Sequence, residues 1–246
     1  TKLEKAASHL NLPVIGGHFQ YLASLRVDLS MPASIVNSEK NQPNNWTDKN
    51  VKKTFGYIKQ EAHRGMRFTR GTTNASKALF FVDANFGQSN QRKSRYGFVV
   101  TMFGGTIAWK TKQQRLVTLS SSESEIVGLS EAMRYNRWLR AFLSEINIVQ
   151  DPTDMVIMDV NDPKKMTLGK KDNETRLEPT IFFEDNNAAI SKARANVDKL
   201  TDRTRHLKNR DYFCRECVAM GEAHLISVPS SLNIADFMTK ILSRNG

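Results

Sequence analysis

A mixed α/β sheet of five strands, flanked by helices and preceded by a mainly helical appendage, is the architecture that this 246-residue sequence predicts. Three observations predict it. Apolar or aromatic runs at 78–82, 96–103 and 106–109 follow one another closely, parted only by the polar stretch 87–95 and by Gly104-Gly105, the pattern of an antiparallel meander. A long helical pattern comes next, with Ile126, Leu129, Met133, Trp138, Phe142, Leu143 and Ile146 at three- and four-residue steps. Strand-like and helical runs then alternate, and a strand that returns after a helix can lie parallel in the same sheet.

In chain order, residues 1–76 read as a helical segment and linker. The stretch 15–23 is partly apolar, N-S-E-K-N-Q-P-N-N at 37–45 is a loop by composition, and Trp46, Val51, Phe55 and Ile58 restore helical spacing. R-G-T-T-N-A-S at 70–76 has the composition of a linker. The sheet domain occupies 77–246. After its meander and long helix, residues 150–178 are rich in Asp, Lys, Pro and Asn and read as a polar surface insertion. A fourth strand at 180–183 leads into a short helix at 186–195. A basic helical segment follows at 203–220, then a last strand at 224–228 and a closing helix at 234–242.

Composition narrows the partners. A formal net charge of +11 favours a polyanion, which concerns partners and not fold. No apolar run approaches the roughly 20 residues of a membrane-spanning helix. The opening T-K-L-E-K-A-A-S-H-L lacks a secretory apolar core, so an intracellular setting is expected. The chain begins on Thr, which leaves an upstream organelle-targeting segment open. Cys214 and Cys217 form a C-x-x-C pair inside an apparent helix with only His206 and His224 nearby, and are expected to be reduced packing residues.

Four acidic residues stand where strands end or helices begin: Asp83 in F-V-D-A-N-F, Glu125 in S-S-S-E-S-E-I, Asp185 in F-F-E-D-N-N and Asp236 in N-I-A-D-F-M. Each has an ordinary explanation. Ser120 with Glu123, and Ser122 with Glu125, fit the capping box; Asp185 suits an N-cap; Asp236 suits the positive end of the last helix. Together they suggest more. Asp83 follows the buried-looking L-F-F-V, where an unpaired carboxylate is costly without a cation or hydrogen-bond donors. Mg²⁺ takes oxygen ligands and keeps waters, so a few carboxylates suffice, and a pair of ions about 4 Å apart can activate water for phosphodiester cleavage.

These blocks resemble the ribonuclease H domain of copia-type LTR-retrotransposon Pol polyproteins. The resemblance runs collinearly through F-V-D-A-N-F, R-K-S-R-Y-G-F-V-V, G-G-T-I-A-W-K-T-K-Q-Q and L-S-S-S-E-S-E-I-V-G-L-S-E-A. It resumes in F-F-E-D-N-N-A-A-I, R-T-R-H-L and V-P-S-S-L-N-I-A-D-F-M-T-K. Residues 15–68 resemble part of the connection that precedes that domain, while the polymerase's paired-aspartate box is absent. The resemblance implies a ribonuclease H-like fold. It places Asp83, Glu125, Asp185 and Asp236 on the family's metal-binding acids, selects Glu125 over Glu123, and implies Mg²⁺ or Mn²⁺, two ions, as cofactor. The implied reaction is hydrolysis of the RNA strand of an RNA–DNA hybrid, with His206 assisting proton movement or product release. Departures are the long insertion, the segment H-L-K-N-R-D-Y-F after Arg205, and Glu184 before Asp185, which strand alternation should turn to the opposite side.

Arg92, Lys93, Arg95, Lys110 and Lys112, with Arg203, Arg205 and Arg210, are the candidates for phosphate contacts, which add affinity without reading sequence. The expected partner is an RNA–DNA hybrid or structured RNA, together with a reverse transcriptase polymerase region or a large ribonucleoprotein. A rival reading makes the chain a domesticated, non-catalytic descendant that uses the same fold as a basic RNA-binding or structural part of such a particle.

Overall fold

Three helices come first in the computed structural model, which describes residues 10–41, 44–70, 77–87, 93–146, 148, 178–196 and 208–240. They are α1 (Leu12–Ala23), α2 (Ser30–Glu39) and α3 (Asn45–Gln60). Asn11 caps α1 through Val14 N–H, and Asn44 forms a reciprocal capping box with Thr47 at α3. Leu12, Phe19, Leu29, Ala33, Val36 and Val51 are buried together between them. Helix α2 runs into the stretch that composition assigned to a loop. Asn37 is helical because its side-chain amide reaches the carbonyls of Gly16 and Ala33, so α1 holds the last turn in place.

The sheet follows as β1 (Leu79–Asn85), β2 (Arg95–Met102), β3 (Gly105–Gln113), β4 (Thr180–Glu184) and β5 (Ala223–Ser227). Its order is β3-β2-β1-β4-β5. The first three strands pair antiparallel, and β4 and β5 join parallel to β1 and to each other. The fold is thus the five-stranded mixed sheet of the ribonuclease H-like class, as expected. The turn between β2 and β3 needs its glycines. Gly104 has φ +74°, and a side chain there or at Gly105 would strike the backbone of 67–69.

Helices α4 (Ser121–Glu145), α5 (Asn187–Arg194) and α6 (Lys208–Ala219) cover one face. There Phe80, Val82, Phe98, Val100, Leu129, Met133 and Phe182 are buried in one apolar cluster, with Phe80 stacked on Phe182. Burial of side chains this size stabilises by roughly 1.5–3 kcal/mol each. Cys214 and Cys217 are free thiols inside this cluster, in keeping with a packing role. Part of the opposite face is covered by α2, which lies on β3. Most of the 150–178 insertion lies outside the described residues, as does most of the 70–76 linker. Among the described residues no helix is long and apolar enough to cross a membrane.

The closing helix expected at 234–242 is not formed within the described residues. Two 3-10 turns, Ser230–Leu232 and Asp236–Met238, take its place. Strand side chains occupy carbonyls that would have accepted the helix's last bonds. Thr111 Oγ donates to Met238 O (3.1 Å) and Asn85 Nδ2 to Thr239 O (2.6 Å). Buried Ala235 and Met238 hold the segment against protein instead of letting it coil outward.

Candidate metal centre

Pairing between β1 and β4 ends at Phe81 and Phe183, while β1 continues to Asn85 along β2. Beyond that point the two parallel strands part, and the open notch at their C-terminal ends is where α/β sheets place ligands. Asp83 lies on β1 just past the parting, opposite Gly97, and Asp185 directly follows β4. Glu125 enters from the second turn of α4. That helix starts where it does because Ser120 Oγ accepts from Glu123 N–H (3.2 Å), and Glu123 turns back to accept from Leu119 N–H (2.6 Å). The capping glutamate and the inward glutamate are therefore different residues, Glu123 and Glu125.

Carboxylate oxygens of Asp83, Glu125 and Asp185 lie within 4.8 Å of one another. Burial pushes the Asp83 carboxyl up to about 7, helped by the charges of Asp185 and Asp236 and opposed by a hydrogen bond from Thr239. Burial also raises Glu125 well above the usual carboxylate range, with Glu184 and Asp83 adding to it. Glu125 Oε2 is buried without a hydrogen-bond partner. A cluster of hard oxygen donors, one of them orphaned, fits a divalent cation of the Mg²⁺ or Mn²⁺ kind.

Asp236 stands outside this triplet. It pairs with Lys240, and its charge still reaches Asp83. The turn that carries it is fastened to the sheet. Asn233 Nδ2 donates to Val82 O (2.7 Å), a carbonyl just past the last β1–β4 pair, and Thr239 Oγ donates to Asp83 Oδ2. Gly97 makes room for the turn, since a Cβ there would come within 2.3 Å of Met238 Cβ. Gly97→Ala is expected to lift the turn off β2 and cost about 1–3 kcal/mol, measurable by denaturant unfolding, as overpacking generally does.

Glu184 turns to the face opposite Phe183, the side that strand alternation gives it, and is wholly buried there, with Oε1 accepting from Asn186 N–H (3.2 Å) and Oε2 unpartnered. The face opposite to Phe183 is the one covered by α4, and Glu125 projects from α4. Burial foremost, with the charges of Asp185 and Asp83, raises its pKa well above the usual range.

The basic candidates divide. Arg92, Arg203, Arg205 and His206 lie outside the described residues. Arg95 departs from the expectation of a phosphate contact. Its guanidinium is buried and donates to Ser34 and Ser38 of α2, because β2 begins beneath that helix. Lys93 is partly exposed before β2, and Lys112 is exposed on β3. Lys110, Arg134 and Arg210 converge from three elements on Glu131, at 3.6, 2.7 and 2.9 Å. Sequence reading missed Lys192, whose ammonium donates to Ser122 Oγ (2.7 Å) at the start of α4, and also missed Thr239 and Asn233. No local pattern marks a residue whose role is to reach across 70 or more positions.

Comparison with known proteins gives consistent kin. The chain is 26% identical over 189 residues to the retrovirus-related Pol polyprotein from transposon TNT 1-94 of Nicotiana tabacum, covering 73% of this chain and 12% of that protein. It is 24% identical over 231 residues to the Pol polyprotein from transposon RE1 of Arabidopsis thaliana, covering 94% and 14%. The chain thus spans about an eighth of the length of these polyproteins. It is also 30% identical over 129 residues to the secreted RxLR effector protein 161 of Plasmopara viticola, covering 52% of this chain and 89% of that one. Among solved structures, the N-terminal RNase H domain of rv2228c from Mycobacterium tuberculosis, solved fused to maltose-binding protein, overlaps 66% of this chain and 90% of its own, with 12% identity and a TM-score of 0.41. No protein-family model matches.

Proposed function

We propose that this chain, similar to retrovirus-related Pol polyproteins over most of its length, is their ribonuclease H domain and hydrolyses the RNA strand of RNA–DNA hybrids with the help of divalent metal. The observation that carries this reading is the triplet of Asp83, Glu125 and Asp185 in the notch between β1 and β4. Asp83, Glu125 and Asp185 would hold the metal, with Asp236 beside them. Bound Mg²⁺ or Mn²⁺ supplies Lewis acidity and an activated water at the phosphodiester.

The chain's own residues supply placement. Thr239 holds the Asp83 carboxylate, and Lys240 steadies Asp236. Glu131 lies six residues beyond Glu125 on α4, about 9 Å along the helix axis. The three cations gathered on Glu131 outnumber its single charge and remain partly exposed, which suits the phosphates of a strand crossing α4. His206, by resemblance, would assist proton movement or product release.

The test incubates the chain with a labelled RNA–DNA hybrid, in Mg²⁺ and in EDTA, beside duplex DNA and single-stranded RNA. Cutting of the hybrid's RNA strand in Mg²⁺ alone is expected. Tight binding with no metal-dependent cleavage would overturn the nuclease reading and favour an RNA-binding descendant of the fold.

A further inference from the structure

Helix α2 buries one face and part of a second. Leu29, just before it, and Ala33 and Val36 follow four- and three-residue steps and belong to the N-terminal apolar cluster. Met31, Ser34, Ile35 and Ser38 share the other face by the same spacing. Ser34 and Ser38 there accept from the buried Arg95 guanidinium on β2. Met31 and Ile35 are buried yet belong to neither apolar cluster, and the same is true of Val99 on β2 and Met238 in the closing turn. Helix α2 touches both β3 and the Asp236–Met238 turn, and Trp109 Nε1 on β3 donates to Ala23 O at the end of α1 (2.8 Å).

That turn is held locally by short-range bonds alone. Its backbone bonds are Asp236 N–H to Asn233 O, Met238 N–H to Ala235 O, and Thr239 N–H and Lys240 N–H to Asp236 O, at 3.0, 2.9, 3.2 and 3.1 Å. Short 3-10 segments are weakly held unless tertiary contacts fix them. On its inner side the turn is bonded to Asp83, Asn85 and Thr111. On its outer side it meets α2.

We infer that the N-terminal helices are a positioning element for the metal centre: α2, latched by Arg95, presses the Asp236 turn onto β1 and β2 and so fixes Asp236 and the Thr239 bond to Asp83. The segment before the sheet domain is then a working part of the site. The inference rests on the metal-centre reading given above for its functional meaning, and on packing alone for the mechanical link.

The full chain with Ile35→Ala, and separately with Arg95→Met, tests it by two measurements. Hydrogen–deuterium exchange over 235–240 is expected to accelerate roughly 10-fold or more in both variants, as local opening becomes easier. Mn²⁺ affinity by calorimetry is expected to fall about 10-fold, the scale on which supports behind metal ligands act. Leu143→Ala serves as the control. It lies in the main core some 27 Å along α4 from Glu125, and should lower the melting temperature without changing either measurement. Unchanged exchange at 235–240 in both variants would overturn the link, as would equal loosening in Leu143→Ala. If the unaltered chain takes up no Mn²⁺, the metal reading fails, and the exchange data still decide the mechanical link.

Discussion

Asp83→Asn is expected to abolish metal-dependent cleavage of the hybrid while making the metal-free protein more stable. The substitution keeps the shape of the side chain and an oxygen that can accept from Thr239, so the closing turn should remain seated. It removes one anionic ligand from a cluster whose oxygens lie within 4.8 Å of one another. Loss of a group acting directly on the reacting centre should lower kcat by about a thousand-fold or more, near 4 kcal/mol of transition-state stabilisation. Stability moves the other way. Asp83 is buried beside Asp185 and Asp236, and without an ion these charges oppose one another. Neutralising it should raise the melting temperature in EDTA at pH 8 by several degrees and shrink the stabilisation that Mg²⁺ gives. A variant that cuts as fast as the parent would remove Asp83 from the reaction. Loss of cutting with unchanged Mg²⁺ stabilisation would separate the carboxylate from the ion.

The second large effect is on pH. In metal-free protein, burial first and neighbouring carboxylates second raise the pKa of Asp83 to about 7, and those of Glu125 and Glu184 well above the ordinary range. A folded state that holds protons more tightly than the unfolded chain is favoured at low pH. The contribution is complete below the unfolded pKa near 4 and disappears as pH rises through the folded values. Two carboxylates act oppositely. Asp28 and Glu131 are also penalised by burial, but Arg26 with Tyr57, and Arg210 with Arg134, outweigh that and hold both pKa values below normal. Their stabilisation is present above pH 4–5 and lost in acid. The melting temperature in EDTA should therefore peak near pH 5 and fall by roughly 5–10 °C toward pH 8. Saturating Mg²⁺ should flatten or reverse the fall, because binding requires the deprotonated acids. A curve in EDTA that rises from pH 5 to pH 8 would contradict the buried, mutually repelling cluster.

Much of this was legible in the chain itself, for reasons that are local. Strand runs and a long 3.6-residue periodicity located all five strands and α4 to within a few residues, since apolar alternation is decided by neighbours in sequence. Asp83, Glu125 and Asp185 were visible because each breaks or ends an apolar pattern at an element boundary. Glu184 marks where a local pattern stops being informative. Alternation correctly turns it from Phe183, but only the packed structure reveals that α4, bearing Glu125, covers the face to which it turns. Arg95 carried no sign of burial either. Its partners, Ser34 and Ser38, lie about sixty positions earlier and share a helix face only once α2 has formed.

Residue order was enough to specify the elements, their succession and which acids were candidates, because propensity, capping and periodicity act over a few residues. Three outcomes awaited the assembled molecule. The parting of β1 from β4 let three carboxylates converge, strand side chains claimed the carbonyls of 238 and 239 and replaced a helix with a turn, and α2 docked over that turn. Each depends on groups 100 or more positions apart meeting at hydrogen-bond or packing distance, and such meetings follow from the burial of whole surfaces.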